Sequence, residues 1–164
     1  MLIEVLIIIV VLVVTYFLGV IRGAPFVPTN IETVDQMIQA AELKTGDRLA
    51  DIGSGDGRIL IAAAKLGIES HGFEINPLLV WWSRYKIKKA GLQNLAFVHW
   101  KNFWFQDFSD YNVVMLFGIT KIMGKLEQKL KTELPPGSRV VSNIFHFPNW
   151  ESTKIGSVFV YQKS

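Results

Sequence analysis

Two rhythms of apolar and polar residues divide this chain. The first is hardly a rhythm: from Leu2 to Ile21, "LIEVLIIIVVLVVTYFLGVI", Glu4 is the only charge, and fourteen of the residues from Val5 to Ile21 are Val, Ile, Leu or Phe. A helix needs about 20 such residues to cross the hydrocarbon core of a bilayer. Near the bilayer centre this composition favours insertion by about 4–8 kcal/mol as an upper figure. A strand of that length would be abnormal. A cleaved signal peptide wants a basic start and a shorter apolar run, whereas this start is acidic. Residues 2–22 are therefore expected to form one retained transmembrane helix, followed by a domain of residues 23–164.

The second rhythm begins after a stiff connector, "RGAPFVP", whose prolines hold the backbone extended. Thr29-Asn30-Ile31-Glu32 reads as a capping box opening a helix, with Thr29 as the cap. Ile31, Val34, Ile38 and Ala41 give that helix one apolar face. From Arg48 onward short apolar runs alternate with amphipathic ones. Strands are expected at Arg48–Ile52, Ser70–Glu74, Ala96–Trp100, Asn112–Phe117 and Arg139–Ile144, and helices at Arg58–Leu66, Pro77–Ala90 and Thr120–Glu133. The tail carries no helix signal and predicts one or two closing strands, Ser157–Gln162 being the clearer. Strand–helix alternation with short connections implies an α/β fold, a Rossmann-like, doubly wound, mostly parallel sheet.

Composition adds little beyond this. Half of the 164 residues are hydrophobic and mean hydropathy is +0.30, with the excess in the N-terminal run. The net charge of +3 suits a domain lying beside anionic headgroups and is too small to imply nucleic acid. Arg22 follows the apolar run and no Lys or Arg precedes it, so the positive-inside rule places the domain on the cytoplasmic side as a single-pass membrane protein. The absence of cysteine excludes disulfides and thiolate metal sites. His71, His99 and His146 lack metal-ligand spacing, so no metal is expected. Arg84, Lys86, Lys88 and Lys89 read as a solvated helix face, with contact to anionic lipid as the alternative, each such charge near the surface being worth about 1 kcal/mol. The five tryptophans read as packing or membrane-interface residues.

The chemistry is concentrated in "LADIGSGDGRILIAAAKLG", Leu49 to Gly67. In an open α/β sheet, ligands bind at the carboxyl ends of the strands. Here a loop with Gly53, Gly55 and Gly57 follows the first strand of the sheet. Glycine permits the tight turn and the close approach of a ligand, and the helix behind it offers free N–H groups to an anion. The spacing is neither G-x-G-x-x-G nor a P-loop. It is D-x-G-x-G-x-G, led by Asp51. A second acidic residue, Glu74, ends the next strand, where a carboxylate can accept both hydroxyls of a ribose.

"DIGSGDG", "GFEINP" and "KNF", in this order, resemble motifs of the seven-strand S-adenosylmethionine-dependent methyltransferases. "PFVPT", "NPLLVWWSRYK", "KNFWFQDFSDYNVVMLFGI" and "LEQKLKTELPPGSRVVSNIFHFPNW" are similar, more narrowly, to the membrane-anchored protein-lysine methyltransferases. The mitochondrial members of that group modify the adenine nucleotide translocase and the ATP synthase c-subunit, and soluble archaeal lysine methyltransferases are also similar. The resemblance implies S-adenosyl-L-methionine as cofactor. It implies that Asp51, Gly53 and Gly55, with Ser54 and Gly57 of the same loop, hold its methionine portion and ribose edge. It further implies that Glu74 binds the ribose hydroxyls, that Asn102 meets the adenine amino group with Phe103 beside the ring, and that Thr29 closes over the methionine end. The tail after Trp150 is shorter than in those relatives, which leaves room for six strands or for a seventh in a very tight final hairpin.

Methyl transfer from a sulfonium needs alignment and a desolvated, neutral nucleophile. A lysine amine, with an ordinary pKa near 10.4, loses its proton more readily in an apolar site beside a positive charge. Phe117 and Asn143, at the ends of the fourth and fifth strands, are expected to line the acceptor channel. The expected function is protein-lysine N-methylation of an integral membrane protein. The alternatives are methylation of a lipid or small hydrophobic acceptor, and a non-catalytic cofactor-binding protein. A nucleic-acid acceptor is not expected, because "FGIT" stands where an Asn/Asp-Pro-Pro-aromatic motif would be.

Overall fold

The computed structural model describes residues 2–22, 30–118 and 120–164, and within the first helix it describes side chains only at residues 2–11 and 14. Helix α1 spans Leu2–Arg22 and α2 spans Ile31–Ala40. There follow β1 (Arg48–Ile52), α3 (Arg58–Lys65), β2 (Glu69–Glu74), α4 (Pro77–Lys89), β3 (Ala96–Trp100), a short 3₁₀ turn at Phe103–Phe105, and β4 (Val113–Leu116). Then come α5 (Thr120–Glu133), β5 (Arg139–Asn143), β6 (Thr153–Ile155) and β7 (Val158–Gln162).

Seven strands form one sheet in the order β3-β2-β1-β4-β5-β7-β6. The first five are parallel, and β7 runs antiparallel to both β5 and β6. Strand order reverses between β1 and β4, which makes the end of β1 the switch point where such sheets bind ligands. The tail thus supplies two closing strands, joined at Gly156-Ser157. Gly156 has φ of 62°, the conformation a two-residue hairpin turn demands.

Side chains alternate across the sheet as the strand period requires. Leu49, Val113, Met115 and Val141 join α2, α3 and α4 in one core. Ala50, Ile52, Val114, Leu116 and Val140 join α5 and the aromatic residues Phe108, Tyr111, Phe147 and Tyr161 in the other. On the second face Glu127 of α5 is buried and accepts from Lys131 at 2.7 Å and from the Asn149 backbone at 2.9 Å. This ties α5 to the segment between β5 and β6.

Three local expectations change. The cap of α2 is Asn30, whose side chain accepts from the Thr33 N–H at 2.7 Å; Asn is as good a cap as Thr, and the helix starts one residue later. Thr29 itself lies outside the described residues. The basic face of α4 is only partly solvated: Lys86 reaches Asp56 at 2.8 Å, and Arg84 donates twice to the Val98 carbonyl. His71 and His99 are brought together, ring nitrogens 3.0 Å apart and rings stacked, with His71 also bonded to Glu69. Among the described residues no group of His, Asp or Glu is arranged to hold a metal.

Among the described residues, too, no helix is long and apolar enough to cross a membrane. Helix α1 runs for 21 residues, but most of its second half is not described at side-chain level. The expected membrane span therefore gains no support from the fold.

Candidate active site

The loop after β1 is shaped by its glycines. Gly53, Gly55 and Gly57 have φ of 74°, 52° and 76°, a region that residues with a Cβ avoid. The Gly53 N–H donates to the Phe73 carbonyl and the Gly57 N–H to the Ser54 carbonyl, both at 2.9 Å. The first bond pins the loop to β2; the second closes it on itself. The glycines then differ in role. A Cβ on Gly53 would meet nothing within 4 Å, whereas one on Gly57 would stand 2.9 Å from Cβ of Ser83. Gly53 borders open space that a ligand can fill, and Gly57 lets α3 pack against α4.

Two acidic groups face this loop. Glu74, buried at the end of β2, accepts from the Gly55 N–H at 3.0 Å and from the Asn76 N–H at 2.8 Å. Each carboxylate oxygen keeps a further lone pair for a ligand hydroxyl. Asp51 is 2% exposed. Burial first, and then the nearby charges of Glu74 and Asp56, push its carboxyl up to about 8. A buried acid in that state favours a cation brought to it from outside.

A third carboxyl, Asp56, has its cations built in. Arg58 grips it with two bonds of 2.8 Å and Lys86 adds a third. Burial alone would raise its pKa, but these partners outweigh burial and hold the carboxyl down at about 2. This clamp joins the loop to α4, and it takes Lys86 from the face that the sequence pattern reads as solvated. Gly72 on β2 also matters, and no motif marks it. A Cβ there would lie 2.6 Å from Cβ of Ser54 and 2.7 Å from Leu60, so glycine is what lets the loop seat on the sheet. Ser54 Oγ is buried and, among the described residues, has no hydrogen-bond partner.

The adenine-side candidates stand beside Glu74. Glu74 pairs in register with Trp100, and Lys101 N–H donates to the Glu74 carbonyl. Asn102 follows, its side-chain oxygen accepting from Trp104 N–H at 3.1 Å, which orients the amide. Phe103 is half-buried, its ring centroid 4.7 Å from that of Trp104.

On the other side, Leu116 pairs with Ser142, so Phe117 and Asn143 follow side by side at the same sheet edge. Phe117 meets Phe145 edge to face at 5.7 Å. Asn143 is 4% exposed and its amide oxygen accepts from Ser157 Oγ at 3.2 Å. Next comes Ile144, with φ of 65°, a genuine outlier for a β-branched residue. Strain of this kind gathers at functional sites, and no sequence signal announces it.

A cationic ligand carrying vicinal hydroxyls fits these residues: a carboxyl that meets no cation among the described residues, a carboxylate with lone pairs to spare, and open space over Gly53. Residues 51–154 match the family described as the ANTKMT methyltransferase domain. The chain belongs to this family. A relative in Mus musculus, the lysine N-methyltransferase of the ATP synthase c-subunit, is 44% identical over 126 residues, covering 77% of this chain and 51% of that protein. The chain spans about half the length of the first such relatives. A family relative in Saccharolobus islandicus, named protein-lysine N-methyltransferase, is 36% identical over 133 residues, covering 80% of this chain and 83% of its own. Among solved structures, an RNA methyltransferase from Salinibacter ruber in complex with S-adenosyl-L-homocysteine superposes with a TM-score of 0.76 at 35% identity, covering 84% of this chain and 92% of that one.

Proposed function

We propose that this chain is an S-adenosylmethionine-dependent protein-lysine N-methyltransferase, that its substrate is an integral membrane protein, and that α1 anchors it to the same membrane. The observation that carries the cofactor reading is the buried Asp51 carboxyl beside Glu74 and the open face of Gly53. The lysine reading is supported by the names of the mouse and archaeal relatives. The anchor reading rests on the sequence, in which Glu4 is the only charge from Leu2 to Ile21; a helix of 21 residues, the length of α1, is about 31 Å long at 1.5 Å per residue. With Arg22 on its domain side, the catalytic domain lies in the cytoplasm.

When bound, the cofactor supplies a methyl group made electrophilic by its sulfonium. The chain's residues do the rest. Asp51 balances the cationic methionine end, Glu74 accepts the ribose hydroxyls, and Asn102 with Phe103 fixes the adenine. Thr29 belongs to the same reading as a closing residue. Phe117 and Phe145 give the acceptor amine an apolar surround, which disfavours the ammonium and lets its proton leave to water before transfer. No dedicated base is required, and Asn143 positions the amine.

The test is labelled S-adenosylmethionine incubated with membranes from a source lacking this protein, with Glu74→Ala as control and with protein, lipid and RNA separated before counting. Label on lysine of one membrane protein supports the proposal. Label in the lipid fraction would replace it with a lipid acceptor. A second reading, an RNA acceptor, is favoured by the name of the Salinibacter ruber structure, and label in the RNA fraction would support it. Cofactor binding without transfer to any fraction would leave a non-catalytic binding protein.

A further inference from the structure

Helix α4 is apolar on two sides. Val80, Ser83 and Ile87 are buried against the sheet, as the spacing i, i+3, i+7 requires. Leu78, Trp81, Trp82 and Tyr85 repeat the same helical spacing on the other side, and all four are exposed, Trp81 by 67%. The three aromatic rings lie against one another with centroids 5.5 to 6.4 Å apart, so they form one preassembled platform. Two further apolar residues are exposed at and just after the edge strand β3: Trp100, by 67%, and Phe105 in the following 3₁₀ turn, by 80%. The Trp100 indole N–H donates to the Ile75 carbonyl at 3.0 Å, so its polar end is satisfied within the protein and its ring is free to leave water. Soluble surfaces rarely leave so much large apolar side chain bare.

The charge around the patch says what covers it. From Ile75 to Gln106 the chain has five Lys or Arg, namely Arg84, Lys86, Lys88, Lys89 and Lys101, and no Asp or Glu. Lys86 is taken by Asp56 and Arg84 by the Val98 carbonyl; Lys88 and Lys89, three and four residues after Tyr85, continue the aromatic face of the helix with positive charge. Trp and Tyr beside Lys and Arg is the composition of a surface that sits at the headgroup level of an anionic bilayer. A second copy on a two-fold axis would set this positive charge against its own image.

We propose that Leu78, Trp81, Trp82, Tyr85, Trp100 and Phe105 form a docking face that seats in the headgroup layer of an anionic membrane. Trp100 is in register with Glu74, so docking brings the ligand-binding edge of the sheet to the bilayer surface. This deepens the proposed function and rests on its membrane location, but not on the acceptor being lysine.

Helix α1 contains no tryptophan, which makes the face separately observable. The full chain is reconstituted into vesicles containing phosphatidylglycerol, with acyl chains brominated near the headgroups. Flotation reads the anchoring by α1, and bromine quenching of tryptophan fluorescence reads the docking face. Quenching is expected in the wild type and is expected to be lost in Trp81→Phe/Trp82→Phe/Trp100→Phe, which keeps Trp104 and Trp150. It is also expected to weaken in zwitterionic vesicles. Lys88→Gln/Lys89→Gln should shift the docking equilibrium by about 25-fold, near fivefold for each charge. A chain that floats without quenching overturns the docking face and leaves the anchor standing; one that does not float overturns both. A doubled mass in detergent, lost in Trp81→Ala/Tyr85→Ala, would assign the face to a second copy and overturn the proposal. Methyl transfer to lysine, measured separately, bears only on the enzymatic reading.

Discussion

If Asp51 balances the cofactor's charge as proposed, cofactor affinity should be a function of pH. Its carboxyl is pushed up to about 8 by burial and by its acidic neighbours, so in the ligand-free protein at pH 7 about nine molecules in ten carry the proton. The ionised form is the one that balances a cation. Apparent affinity scales with the fraction in the competent state. That fraction is about 1% at pH 6 and about 50% at pH 8; with the ligand's α-amino group about half discharged by pH 8, the Kd for S-adenosylmethionine should tighten by about 25-fold between them. The window stops at pH 8 because the ligand's own α-amino group loses its charge from about there. Calorimetric titration in two buffers of different ionisation enthalpy counts the protons, and close to one should be released per cofactor at pH 7. Asp51→Asn should bind weakly, release none and show a flat profile. A wild-type Kd unchanged from pH 6 to 8, with no proton released, would refute the assignment. The same carboxyl bears on stability. The folded chain keeps its proton up to about 8 and the unfolded chain loses it near 3.8, so between these values the native state binds more protons and this group's contribution to ligand-free stability falls as pH rises.

Asp56 behaves in the opposite sense: held down at about 2, it stabilises above the unfolded value near 3.8 and loses that contribution as pH falls towards 2. Asp56→Asn should therefore cost about 2–3 kcal/mol at pH 7, and denaturant melts at pH 7 and pH 3 should show the gap closing; equal gaps would contradict the clamp. Gly72→Ala should lose about 1–3 kcal/mol, because its Cβ would stand within 2.7 Å of Ser54 and Leu60; thermal melts check this, and an unaltered Tm would mean the loop yields freely. Ile144→Gly should raise stability by about 1 kcal/mol by relieving the left-handed backbone, read from the same melts, and a loss would show that the half-exposed side chain packs usefully. Asn143→Ala should lower turnover while leaving cofactor Kd within about twofold, since uniform binding is untouched; an unchanged kcat would remove Asn143 from the acceptor side.

What was legible in the sequence follows the range of the interaction concerned. Strands β1 and β3 and helix α5 have the expected bounds, because period and turn residues act over a few positions. β4 ends at Leu116, one residue before the apolar run does, since Phe117 leaves the ladder to meet Phe145. The closing hairpin fits into so short a tail because Gly156 supplies a positive φ. What escaped the sequence joins distant positions: Gly72 with Ser54, Lys86 with Asp56, Glu127 with Asn149. None of these partners is marked by a motif at the other.

The acidic residues show what this means for the site. Asp51 and Asp56 sit five positions apart in one motif and are both buried, so pattern alone gives them equal standing. Packing separates them. Asp56 receives Arg58 from the start of α3 and Lys86 from α4, and it spends its charge holding the loop to both helices. Asp51 faces Glu74 and Asp56, and among the described residues no cation offsets them, so its pKa moves the other way. Titratable groups in one pocket whose environments drive them apart are the mark of divided roles. The carboxyl already paired keeps the loop in shape, and the one left wanting a positive charge is the proposed seat of the cationic cofactor.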